Sequence, residues 1–279
     1  MTDWQTLTLT DFKKLEDAKN QFHLGVQNVA AVGRKFLEQD KSDSKATLVW
    51  IPEYQRLAGQ WIDGNIKFRS SIGFTDFAVH LVDEHVNSIS SFELNEMSHP
   101  KVMVWLEEQI AHFGLDTSQL VLNLPYDLPE SLNSVGKPFS IEDTELAKEL
   151  GKYFHNGHLI ANEVKEAYKS TDVKCWPHHF DISTQITVNN TGNPETSSYV
   201  NVGLSPGDEE FDEPYFFAAP WPYPPTNELT TLAHGKWVDE HWVGAIFPAT
   251  ELVEKEDQYK SVRRFMSETF AVLRKVMTY

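Results

Sequence analysis

Cys175-Trp176-Pro177-His178-His179-Phe180-Asp181 gathers two imidazoles, a carboxylate and the chain's single thiol into seven residues. An imidazole beside a carboxylate can do two kinds of chemistry. The carboxylate can fix the ring's tautomer, which leaves the second nitrogen as a general base. The pair can also supply two ligands to a divalent metal, with a third from a distant histidine. Read as a strand, this segment alternates its side chains. His178, Phe180, Ile182, Thr184, Ile186 and Val188 then share an apolar face, and His178 reads as a core histidine. His179, Asp181, Ser183, Gln185 and Thr187 share the polar face, so His179 and Asp181 project together. The metal reading takes His179, Asp181 and His241, with His234 as another third ligand. The plainer reading is a structural pair, because His-x-Asp is a short and common pattern. Cys175 falls on the side of His179, but nothing else supports a nucleophile.

A second group lies downstream. Ser205-Pro206-Gly207-Asp208 has turn chemistry, since Pro presets φ and Gly permits positive φ. Five of the six residues from Asp208 to Glu213 are acidic. They lack EF-hand spacing, so a solvated loop is the better reading than a cation site. Glu213 to Pro225 begins as a strand and becomes a proline-locked segment carrying Tyr215, Trp221 and Tyr223. Aromatics on a stiff extended scaffold suit a pocket wall, a protein interface or a lid on the protein's own core. His155 and His158 stand three apart on a helix without a zincin pattern. No phosphate loop and no Gly-x-Ser-x-Gly elbow is present.

Trp176-Pro177-x-His179-Phe180-Asp181, Ser205-Pro206-Gly207-Asp208 and Glu213-Pro214-Tyr215 together resemble a module of a bacterial family of unknown function. The resemblance carries no activity. It implies that any shared role falls on Asp181 and the backbone around Pro177 more than on His178. Its joining to other domains in related proteins fits a binding or accessory role.

These groups need elements to hold them. Apolar residues at three- and four-residue steps predict a helix over 11–38, capped by Thr10 or Asp11. Strands are expected over 47–51, 55–62, 66–70, 76–82 and 88–94, with a hairpin at Asp63-Gly64-Asn65. A helix over 100–113 follows, ended by Gly114. After a proline-containing stretch the order restarts. A helix capped by Ser140 runs to about 168, strands follow over 173–188, 199–204, 215–219 and 237–246, and a last helix covers 256–276. Gln21-Phe22-His23-Leu24-Gly25 resembles Tyr153-Phe154-His155-Asn156-Gly157. Arg56 falls where Asp181 does.

The expected fold is therefore α+β: two similar helix–antiparallel sheet–helix units, 1–123 and 140–279, joined by a linker at 124–139 in one two-lobed protein. Consecutive strands on short turns must be antiparallel.

The net charge of −17 opposes nucleic acid and anionic lipid as partners. No apolar run is long enough to span a membrane. One cysteine excludes an intramolecular disulfide. A cytoplasmic setting is the expectation. Function is expected to be small-molecule binding, in a groove at the junction of the lobes lined by Trp176, His179, Asp181, Asp208, Tyr215, Trp221 and Trp237. The alternatives are a metal-dependent enzyme and a structural or interaction module.

Overall fold

The computed structural model describes residues 3–8, 11–38, 43–129, 132, 137–193 and 196–277. It is a mixed α+β chain with two antiparallel sheets. Packing divides it into two compact units. One, here the N-terminal unit, comprises Lys13–Gly151 and Lys174–Phe180; the other, the C-terminal unit, comprises Met1–Phe12, Lys152–Val173 and Asp181–Tyr279. These bounds do not follow the expected 1–123, 124–139 and 140–279. The first residues join the second half of the chain, and a short segment of the second half joins the first. Chain order alone could not reveal that exchange.

In the N-terminal unit, α1 (Phe12–Phe36) precedes β1 (Val49–Ile51), β2 (Arg56–Ala58), β3 (Phe68–Gly73), β4 (Ala78–Asp83) and β5 (Ser88–Glu93). The five strands lie side by side in that order. The hairpin at residues 63–67 closes as expected, with Ile62 and Phe68 exchanging backbone bonds of 2.8 and 3.0 Å. Gly25 lets α1 approach the sheet, since a Cβ there would lie 2.6 Å from Ile72 Cδ1. Phe22 stacks on Phe74 at 4.1 Å beside it. Helix α2 (His99–Ala111) follows, and Gly114 leaves its end at a φ of 80°, as a glycine stop does.

Helix α3 (Thr144–Tyr168) starts later than the expected Ser140 cap. Asp143 accepts the Glu145 N–H instead, at 2.9 Å. The Thr10 cap of α1 lies outside the described residues. Next come β6 (Lys174–Trp176), β7 (Asp181–Asn189), β8 (Ser198–Ser205), β9 (Tyr215–Trp221), β10 (Lys236–Val238) and β11 (Gly244–Pro248). Within the C-terminal unit the strands run β10-β11-β9-β8-β7. The expected single strand over 237–246 is thus the β10–β11 hairpin. Short α4 (Ala249–Leu252) and then α5 (Gln258–Val276) close the chain, with Asp257 capping α5 through the Lys260 N–H at 3.0 Å. Gly157 brings α3 against Ile182 and Leu204, and Phe265 of α5 packs on Phe247. No helix of the described residues is long and apolar enough to cross a membrane.

Candidate functional site

The expected strand over 173–188 is broken. Pro177–Phe180 form a turn, closed by Phe180 N–H to Trp176 O at 2.7 Å, and Phe180 has a φ of 57°. The alternation that paired His179 with Asp181 therefore does not exist. Proline cannot donate a ladder bond, and a left-handed residue reverses the chain. His179 is exposed and belongs to the N-terminal unit; Asp181 opens β7 in the C-terminal unit.

The turn in the N-terminal unit is held by a buried polar network. His23 Nε2 donates to Pro177 O at 2.9 Å, and Gln27 Nε2 donates to the same oxygen at 2.7 Å. Because a carbonyl only accepts, this fixes the His23 tautomer. Tyr126 donates to Gln27 Oε1 at 2.8 Å and accepts from Arg34 Nη2 at 2.9 Å. Arg34 also clamps Asp43 with Nε and Nη2. Burial opposes the Arg34 charge, but these two partners outweigh it and raise its pKa. Burial holds His23 down to about 4.

Against this support sit four rings, of which His179 is exposed and Tyr126, Trp176 and His178 are half-buried. His178 packs on His179 at 4.1 Å, on Tyr126 at 5.5 Å and on Trp176 at 5.8 Å. Burial, then the neighbouring His179, lowers the His178 pKa to about 4, so it is neutral at pH 7. His178 is half-buried rather than a core residue. Cys175 is fully buried, where it bridges backbone to backbone with Leu48. That placement removes it as a nucleophile.

In the C-terminal unit, antiparallel register puts Ser205 opposite Tyr215, and Ile182 opposite Leu204. Asp181 then falls on the row of Ser205 and Tyr215. Tyr215 is 5 % exposed and donates to Asp208 Oδ2 at 2.5 Å. Burial, the Asp208 charge and its hydrogen bond push the phenol well above its ordinary range, so it stays protonated. Asp208 Oδ1 accepts the N–H groups of Glu210 and Phe211 at 2.9 and 2.8 Å. Phe211 packs inward beside Tyr215, Phe217 and Ile246, and Glu210 accepts from Trp242 Nε1 at 3.1 Å. The acidic run is thus tied to the sheet at Asp208 and Glu210, while Asp208, Glu209, Glu210 and Asp212 stay exposed, as the solvated-loop reading expects. Glu213 continues this role by accepting from Thr250 N–H and hydroxyl at the start of α4.

No protein-family model, curated protein or solved structure matches this chain.

The remaining expected residues disperse. Trp237 opposes Ala245, which opposes Ala218, so it lies on the other sheet face from Tyr215; its Nε1 bonds Thr230 O. Trp221 shares the Tyr215 face but lies at the far end of β9, 40 % exposed, in an edge contact with Tyr223. His241 is exposed. Among the described residues no group of three or more His, Cys, Asp or Glu is placed to hold a metal. His179, Asp181 and His241 do not form the expected ligand set.

A cleft of about 650 Å3 opens at the start of α5, lined by Trp4, Thr6, Lys255, Asp257 and Tyr259 among others. None of the expected site residues lines it. Sequence reasoning missed Gln27, Arg34, Asp43 and Tyr126. One signal was available: Lys19, His23 and Gln27 recur every four residues along the helix, so they share one face.

Proposed function

We propose that the protein is a non-catalytic small-molecule-binding protein whose ligand contacts the rings of the Pro177 turn. The observation that carries this reading is the cluster of Trp176, His178 and His179 with Tyr126, fixed from behind by the His23 and Gln27 bonds to Pro177 O. Rings anchored in this way offer flat surface at little entropic cost. Neutral His178 suits an uncharged, planar or apolar ligand. Of the expected lining residues, Trp176 and His179 carry the reading, while Asp208 and Tyr215 are engaged with each other. A fragment screen by ligand-observed NMR tests it. His179→Ala and Trp176→Ala should weaken hits at least about tenfold, or 1.4 kcal/mol, with the melt unchanged. Hits indifferent to both substitutions would sink this placement.

The exposed Trp221–Tyr223 pair favours a second reading, an interaction module. Trp221→Ala would then change the oligomeric state or partner binding by light scattering. The metal-enzyme alternative has no ligand set behind it among the described residues, and one equivalent of zinc or iron in the purified protein would revive it.

We also propose that the two halves are copies of one unit in a cytoplasmic protein. Support for the duplication comes from matched detail. Phe22-His23 and Phe154-His155 each precede a glycine two positions later that meets strand side chains. Each histidine also reaches a backbone oxygen through Nε2, His155 to Asp3 O at 3.1 Å. The family resemblance of the three motifs remains part of this proposal.

A further inference from the structure

Arg69 on β3 is only 8 % exposed, yet it makes no ion pair and no hydrogen bond among the described residues. Its one marked neighbour is the Trp61 ring, with the guanidinium carbon 4.3 Å from the ring centroid. Burial lowers its pKa, and no nearby charge contributes. Asp76, Asp83 and Glu84 are engaged elsewhere, and Asp63 is exposed in the 63–67 hairpin with no contact to Arg69. Asp76 contacts His80 Nε2 at 2.9 Å, Asp83 accepts from the His85 and Asn87 N–H groups, and Glu84 lies 3.9 Å from Lys67. The Asp76–His80 contact is short but lacks the alignment of a true hydrogen bond.

Ser71, two residues along β3, shares the Arg69 face by strand alternation. It is 1 % exposed, and its Oγ also lacks a partner. Two unmet donors, one of them charged, therefore lie side by side on one face of the sheet. A buried cation without a counter-ion is strongly unfavourable, and folds that keep one normally supply its anion.

We propose that Arg69, backed by Ser71 and walled by Trp61, anchors a binding site for a small organic carboxylate. Only Nε of the guanidinium is sealed without a partner, which leaves the Nη edge as the way in. A planar fork matches a carboxylate's two oxygens. One uncompensated positive charge balances one negative charge. A phosphate dianion would leave an excess on a chain already at −17. The Trp61 ring gives the acid's hydrocarbon body an apolar wall. This site is separate from the Pro177 turn.

Thermal melts of the full chain at fixed ionic strength, with acetate, benzoate, inorganic phosphate or chloride, test the site. The carboxylates should raise the Tm saturably, by roughly 5–10 °C at a hundredfold excess over Kd. Phosphate and chloride should not. Arg69→Met keeps the side chain's length and its packing on Trp61. It should melt no lower than the wild type without ligand and lose the carboxylate response. Arg69→Lys, which keeps the charge but not the fork, should fold and bind carboxylate at least about tenfold more weakly. His179→Ala should respond like the wild type. A wild-type melt indifferent to carboxylates overturns the proposal, as does an unchanged response in Arg69→Met or Arg69→Lys. Equal shifts with phosphate or chloride overturn the carboxylate class, and loss of the response in His179→Ala overturns the placement.

Discussion

His23 and His99 are 5 % and 2 % exposed, and burial lowers both to about 4 from 6.5. Between those values the unfolded chain binds more protons than the folded one. Stability is therefore full above pH 6.5 and falls as the pH drops toward 4. Each group contributes on the order of 3 kcal/mol across that window. Urea midpoints taken from pH 7 to 4.5 should fall steeply, and His99→Gln should flatten the slope. A flat wild-type profile would show that these rings are not buried neutral. The Tyr215–Asp208 bond makes a second residue-level prediction. Tyr215→Phe removes the donor but leaves Asp208 its two N–H partners, so the cost should be about 1–2 kcal/mol. A neutral substitution would mean that this bond does not hold the 206–213 loop on the sheet.

At the scale of elements, helix propensity and packing compete at Gly157. Alanine in mid-helix gains up to about 1 kcal/mol over glycine. Here the added Cβ would lie 2.8 Å from both Ile182 Cγ2 and Leu204 Cβ, and overpacking costs about 1–3 kcal/mol. Packing should win, so Gly157→Ala should lower the Tm. The segment from Trp4 to Leu7 depends on one side chain in a different way. Gln258 accepts the Leu7 N–H at 2.9 Å and donates to Leu7 O at 2.8 Å, and it accepts from Trp4 Nε1. Gln258→Ala should release this segment, seen as faster exchange of the Leu7 amide. Unchanged protection there would move the anchor to the Asn156 bonds with Gln5.

For the whole molecule, a net charge of −17 implies self-repulsion in the compact state. Raising monovalent salt from about 0.05 to 0.5 M shortens the Debye length several-fold. The Tm should rise over that range without any ligand, which is why the carboxylate test needs fixed ionic strength. Two unrelated sites carry the binding proposals, the rings around Pro177 and the Arg69 guanidinium. Their substitutions separate them, since His179→Ala and Arg69→Met should each silence one and spare the other.

The sequence by itself determined what is local. Periodicity set the helices, Gly114 ended α2, turn residues placed the 63–67 hairpin, and short connections required antiparallel sheets. It also put Asp208 and Tyr215 among seven candidate lining residues, without pairing them. Tertiary structure decided the rest, because the deciding partners are distant in the chain. The turn at Pro177 depends on His23 and Gln27, some 150 residues earlier. Trp237 lost its place beside Tyr215 through a hairpin register that no single strand encodes. Arg69 looked like an ordinary strand residue until folding buried it with no carboxylate partner among the described residues. A side chain's type is written locally, but its exposure and its partners are set by what the rest of the chain brings against it.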